Sequence, residues 1–291
     1  MKIGTDIVGA KLKEYRTTVT WRQTTNYAAS LGDMNPCYVD DRREGGIMAP
    51  PMFAVAVTWP LVENIHQYMD MPYPPELFRT MVHYTEHIEF FRPVRPGDEL
   101  SVRGEVAAVV PHRSGTLVVF KFPVTDRDGR PFFTEYMGGL LRGVECAGAG
   151  RGTENIPAVP RLEDDPPPAW EAAIPISREA PYIYDGCTNI VFAIHTSPLF
   201  AHAVGLPGII LQGTATLAHS AAQLINREAG GNPERLAAIS GRFTGMVFPD
   251  SSIRVQLLKR EVENDNAHLF FRVLNRQGQA AVSGGYARFR L

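Results

Sequence analysis

A chain of 291 residues, 44% hydrophobic and 21% charged, has an ordinary globular balance and enough length for a sizeable core. Its formal net charge of -2, with no Lys/Arg block interleaved with aromatics, gives no electrostatic footprint for DNA or RNA. No apolar run approaches the roughly twenty residues that cross a bilayer, and the opening M-K-I-G-T-D-I lacks the apolar stretch of a secretion signal, so a cytoplasmic location is expected. Cys37, Cys146 and Cys187 form no C-x-x-C pair and no disulfide framework, and reduced, mostly buried thiols are expected.

The first polar stretch with a pattern is G-D-M-N-P-C-Y-V-D, from Gly32 to Asp40, where Asp33 before x-N-P suits an Asx turn. Ala49 to Met69 reads as an apolar helix with Pro50 and Pro51 at its start and Pro60 as an expected kink. His83 to His87, H-Y-T-E-H, matches a zinc-peptidase spacing. That motif works on a helix, whereas this segment runs into E-F-F-R-P-V and reads as a strand. Period-two runs follow at Ser101 to Val110 and Leu117 to Val124, with a turn at Asp126 to Arg130.

Residues 145–170 are rich in Gly, Pro and acidic residues, a linker composition. The G-A-G-R-G inside it is no dinucleotide signature, because Pro157 and Pro160 deny the helix that must follow. Beyond it come N-I-V-F-A-I-H-T-S, from Asn189 to Ser197, and a helix from Gln212 with Leu217, Ala221, Leu224 and Ile225 on one face and Gly230 at its end. Strands at Ile253 to Val262 and His268 to Leu274, and a turn at Asn275 to Gln279, close the chain.

These elements repeat at an offset of about 150 residues. Val94 to Val102 answers Val247 to Val255, and the Asp126 turn answers the Asn275 turn. In the polar loops Asp33 stands opposite Ile190 and Tyr38 opposite His195. The division expected is a first half, 1–144, that supplies shape, the linker 145–170, and a second half, 171–291, that does chemistry. A long helix followed by period-two strands in each half predicts an α+β fold, a mostly antiparallel curved sheet wrapped around a central helix, twice over.

G-D-M-N-P-C-Y with A-P-P-M-F, and F-A-I-H-T-S-P-L-F-A with G-L-P-G-I-I-L-Q-G-T, resemble the MaoC-like (R)-specific enoyl-thioester hydratases and dehydratases in their double hot-dog form. The resemblance covers nearly the whole chain. It implies a water held between an Asp and a His five residues apart, and a Gly amide at the start of the central helix bonded to the thioester oxygen. His195 and Gly213 take two of those places, and Gln212-Gly213 stands where the family has His-Gly. The acid place is Ile190, which can neither accept a proton nor hold a water. Asn189, six residues before His195, Asp185 farther back and Asp33 from the other repeat are the candidates to replace it.

The reaction implied is reversible water addition across the α,β bond of an acyl-CoA or acyl-carrier thioester, with no metal or redox cofactor. His195 is the acid/base, Asn189 positions water, Gly213 polarises the carbonyl, and the first half shapes the acyl tunnel. Neither nucleic acid nor membrane is expected as a partner, and a homodimer is left open. Each residue also has a purely structural reading: a core histidine, an Asx turn for Asp33, packing for Tyr38, and a close approach at Gly213. The rival functions are a non-catalytic thioester-binding or partner subunit, which Ile190 favours, and a thioester hydrolase, which needs a carboxylate on the central helix that 212–227 lacks.

Overall fold

The computed structural model describes residues 1–69, 77 and 81–291. The first half runs β1 (Lys2–Gly4), β2 (Tyr15–Thr18), α1 (Trp21–Ser30), α2 (Pro36–Val39), α3 (Phe53–Glu63), α4 (Ile65–Tyr68), β3 (Met81–Phe90), β4 (Glu99–Val102), β5 (Glu105–His112), β6 (Gly115–Thr125), β7 (Pro131–Arg142) and β8 (Glu145–Ala147). The second runs β9 (Trp170–Ile176), α5 (Ala180–Thr188), α6 (Pro198–Ala203), α7 (Gly213–Glu228), β10 (Leu236–Phe243), β11 (Ser251–Glu263), β12 (Asn266–Leu274) and β13 (Ala280–Arg290).

Among the described residues one antiparallel sheet runs β2-β4-β6-β7-β3-β10-β13-β12-β11-β9, with β5 added on β6. The halves meet where β3 pairs with β10, from Thr85 opposite Arg242 to Glu89 opposite Ala238. Each half contributes a similar run of strands outward from this seam, so the sheet has an approximate twofold axis there. A matching pair of backbone bonds marks the same symmetry: Ala49 donates to the Val94 carbonyl and Leu211 to that of Val247, both at 2.8 Å. Pro50-Pro51 and Gln212-Gly213 are therefore structural counterparts.

The central helices lie against the inner sheet face. α3 buries Phe53, Val55, Val57, Leu61 and Val62, continues through Pro60 to Glu63, and hands over to α4 at Asn64. α7 is buried from Thr214 to Ala218 and at Ser220, Ala221, Leu224 and Ile225. Its polar members are tolerated because Thr216 and Ser220 donate to their own i-4 carbonyls, of Gln212 and Thr216. Gly230, at φ +62°, turns the chain out of the helix as its position suggested.

The expected linker is partly fastened. β8 pairs in parallel with β1, and Arg151 exchanges backbone bonds with Val109. After Gly152 comes a single 3-10 turn, Thr153–Asn155, and no helix, in keeping with the prolines that follow. H-Y-T-E-H lies on β3, a strand whose neighbouring residues face opposite sides. No helix among the described residues is long and apolar enough to cross a membrane.

Candidate active site

The loop that carries His195 is set up by the end of α5. Thr188 Oγ1 donates to the Tyr184 carbonyl at 2.6 Å and accepts the Ile190 amide at 3.2 Å, which ends the helix and turns the chain inward. Asn189 caps α5 in the left-handed region at φ +55°, where Asn is tolerated better than most residues, and donates its amide to the Asp185 carbonyl. A 3-10 turn, Ala193–His195, then delivers the imidazole, and Ser197 caps α6 by accepting the Phe200 amide.

His195 Nδ1 lies 2.8 Å from the carbonyl oxygen of Ile210. A carbonyl can only accept, so Nδ1 carries the proton and Nε2 carries the lone pair. Burial pushes the imidazole down to about 4, against a smaller opposing effect of the Ile210 bond, so the ring is neutral near pH 7. Two residues past Ile210, Gln212 caps α7, and Gly213 is its first residue. A first-turn amide has no acceptor inside its own helix and sits at the positive end of the helix dipole. Gly213 also packs closely: a Cβ there would stand 2.9 Å from Phe243 Cδ1 and Cγ.

These groups share a cavity of about 1300 Å³. Ile190, His195, Gln212, Gly213, Thr214 and Phe243 line it from the second half, while Trp59, Val62, Ile65, Met81, Met137 and Leu140 line it from the first. The mouth includes the exposed Arg113 and Arg142. Both halves mix apolar and polar side chains in this lining, with His83 and His112 of the first half beside its apolar residues and the start of α7 on the side of the second.

The other sequence candidates are not brought here. Asp33 accepts the Asn35 amide at 3.2 Å in the Asx turn its motif suggested, and Asn35 Nδ2 donates to the Gly231 carbonyl beyond the far end of α7. Since α7 has 16 residues, about 24 Å of helix at ~1.5 Å per residue separates that end from Gly213. A composite Asp33/His195 pair is thereby ruled out. Asn189 is exposed at its helix cap and Asp185 is half-buried on α5, and neither lines the cavity. Burial raises the Asp185 carboxyl, whose Oδ1 has no hydrogen-bond partner among the described residues. Ile190 does line the cavity and is buried in the core.

The two positions of the first half that correspond to Gln212 and Gly213 carry no amide hydrogen. Pro50 and Pro51 lack amide hydrogens, and the amides of Phe53 and Ala54 donate to the Pro50 and Pro51 carbonyls. Tyr38, opposite His195 in the repeat, is buried with Ala28, Cys37 and Met48 as a packing residue.

A buried polar group adjoins the cavity; the sequence singles out two of its members, His83 and Glu86, only as part of a zinc-peptidase spacing and does not join them to Glu135. A bulge between His83 and Thr85 puts His83 and Glu86 on the same inner face, with His83 Nε2 3.0 Å from Glu86 Oε2. Glu135 on β7 accepts from Thr58 Oγ1 on α3. Burial raises both carboxyls well above the ordinary range and pushes His83 down to about 4, so the group is held neutral. The legible signal was a Glu inside each of two strand-like runs, at Glu86 and Glu135.

Comparison with known proteins agrees with this architecture. Residues 163–275 match the MaoC-like domain and residues 6–135 the FAS1-like dehydratase domain region. A MaoC-like dehydratase from Phytophthora capsici superposes with a TM-score of 0.82 at 21% identity, covering 97% of each chain. A probable enoyl-CoA hydratase 2 of Dictyostelium discoideum is 21% identical over 97% of this chain and 94% of its own. The 3-hydroxyacyl-thioester dehydratase Y of Mycobacterium tuberculosis is 28% identical over 62% of each. The chain carries a FAS1-like dehydratase region at residues 6–135 ahead of a MaoC-like domain at residues 163–275, and its fold is that of the MaoC-like double hot-dog structures.

Proposed function

We propose that the protein adds water to, or removes it from, the α,β bond of an acyl-CoA-type thioester, with His195 as its acid/base. The observation that carries this reading is the His195–Ile210 bond: it leaves Nε2 as the proton acceptor of a neutral imidazole in the cavity that also holds the Gly213 amide. In the hydration direction Nε2 takes a proton from water as the oxygen bonds to the β-carbon. The electron pair of the double bond moves to the thioester oxygen, where the Gly213 amide stabilises it. The imidazolium then returns its proton to the α-carbon as the enolate collapses. One group thus takes and gives the same proton, which suits a site with Ile190 in the acid place. Neither metal nor redox cofactor has a task in these steps. Asn189, Asp185 and Asp33 have no role in them.

The apolar side chains that the first half puts into the cavity, Trp59, Val62 and Leu140 among them, support the first half, 1–144, as the shaper of an acyl tunnel for the chemistry of 171–291. A cytoplasmic setting belongs to the same reading. So does a homodimer, to which the exposed Leu199, Phe200 and Val204 offer apolar surface.

Ile190 favours a second reading, a subunit that binds thioesters without turning them over. A hydrolase gains no support, because the only carboxylate on α7, Glu228, is at its far end bonded to Trp170 and Arg260. The test is incubation of the purified chain alone with crotonyl-CoA and longer trans-2-enoyl-CoAs. Conversion to 3-hydroxyacyl-CoA supports the enzyme; binding with no conversion replaces it with the binding subunit.

A further inference from the structure

We infer that the hydroxyl of Thr214 is a second donor to the thioester oxygen, aimed by a relay of two buried tyrosines that joins the halves of the chain; this rests on the hydratase reading above. Thr214 follows Gly213 on α7 and lines the same cavity. Its Oγ1 accepts from Tyr184 Oη on α5 at 3.2 Å. Tyr184 has one hydroxyl proton, and with that proton given to Thr214 the 3.0 Å contact between Tyr184 and Tyr27 is made by the proton of Tyr27, on α1 of the first half. Each hydroxyl donates to the next, and the last proton in the line belongs to Thr214.

That proton has a destination to find. The other buried hydroxyls of α7, on Thr216 and Ser220, donate to i-4 carbonyls of their own helix, whereas Thr214 has no such bond among the described residues. Tyr27, Tyr184 and Thr214 are all at least 97% buried, so water does not compete along the line. Both tyrosines are held protonated by burial. A hydroxyl that already accepts a hydrogen bond is a stronger donor, and the effect grows along a chain in a dry interior. Thr214 is thus the catalytic donor, and Tyr184 and Tyr27 are positioning residues. The thioester oxygen meets two donors from consecutive residues at one helix start. The first half, besides shaping the tunnel, reaches the carbonyl through Tyr27.

Two readouts test this on the full chain: turnover of crotonyl-CoA, and the infrared carbonyl band of bound butyryl-CoA labelled with carbon-13 at the thioester carbon, a saturated probe that does not react. Thr214→Val keeps the side chain's shape and removes the donor. It is expected to lower kcat by about 10²-fold with KM changed far less, and to weaken the downshift of the carbonyl band. Thr214→Ser is expected to restore most of both. Tyr184→Phe is expected to shift the band part of the way, which a merely structural role for Tyr184 would not do. If Thr214→Val melts, Thr214→Ala takes its place. Unchanged kcat and an unchanged band in a folded Thr214 variant overturn the inference. If the unaltered protein binds butyryl-CoA but hydrates nothing, the hydratase reading fails while the band still decides Thr214. If butyryl-CoA does not bind at all, both fall.

Discussion

His195 Nδ1 stands 2.8 Å from the Ile210 carbonyl, and this contact leaves Nε2 as the ring nitrogen with the lone pair. It also joins the loop of His195 to the segment that leads into α7, so the imidazole and the Gly213 amide are held by one stretch of backbone. Burial pushes the imidazole down to about 4. The neutral form acts in the hydration direction, so kcat/KM is expected to stay level from about pH 8 to about pH 5 and to fall only toward 4. An imidazole at its ordinary value would lose activity below about 6.5. A pH-rate profile for crotonyl-CoA checks this, and a break near 6.5 contradicts it. The same lowered value makes the folded state lose stability as pH falls from about 6.5 toward 4, because the unfolded chain binds the proton first.

Gly213 is held against Phe243 so closely that a methyl group must displace the ring. Gly213→Ala is expected to cost about 1 to 3 kcal/mol and to reduce turnover by moving the amide. Phe243→Leu in the same chain is expected to recover part of both losses. A double-mutant cycle of melting and kcat measures this, and strict additivity would show that the two residues do not press on each other.

Ile190 occupies the acid place and lines the cavity from within the core. Ile190→Asp is expected to lower stability by about 2 to 4 kcal/mol, through lost packing and a poorly solvated carboxyl. It is also expected to raise turnover of short enoyl-CoAs, because a carboxylate would share the water with His195. Denaturant melts and initial rates on the one variant give both answers. A stability loss with no gain in rate would mean that the place is structural.

Glu86 is buried beside His83, and its carboxyl is raised well above the ordinary 4.5. Above pH 4.5 the unfolded chain releases a proton that the folded chain keeps, so this group lowers stability as pH rises. The change approaches about 1.4 kcal/mol per pH unit. Glu86→Gln has no proton to keep. Its melting temperature relative to the unaltered protein is expected to improve as pH rises above about 4.5, and a pH-independent difference would contradict the neutral acid.

Local signals carried much of this arrangement. The bounds of α7 were legible because Gln212-Gly213 opens an apolar periodic run and Gly230 ends it, and Asp33 turned as an Asx residue before x-N-P should. The duplicated Val-x-Pro segments announced the twofold sheet. What escaped reading depends on contacts far apart in sequence. Tyr27 and Tyr184 meet across 157 positions. The inward turn of both His83 and Glu86 needs a bulge, which shifts the period of two by one residue. Asn189 was a reasonable stand-in by spacing, but its left-handed backbone serves the end of α5 and leaves the side chain exposed.

The account rests most directly on His195. Steady-state hydration of crotonyl-CoA by His195→Ala, beside melting curves for both proteins, is the deciding measurement. The substitution is expected to leave the fold intact and to reduce kcat/KM by about 10²- to 10⁴-fold, the usual contribution of a general acid/base. A folded His195→Ala protein that keeps near-full turnover would contradict the assignment and take the base out of this site.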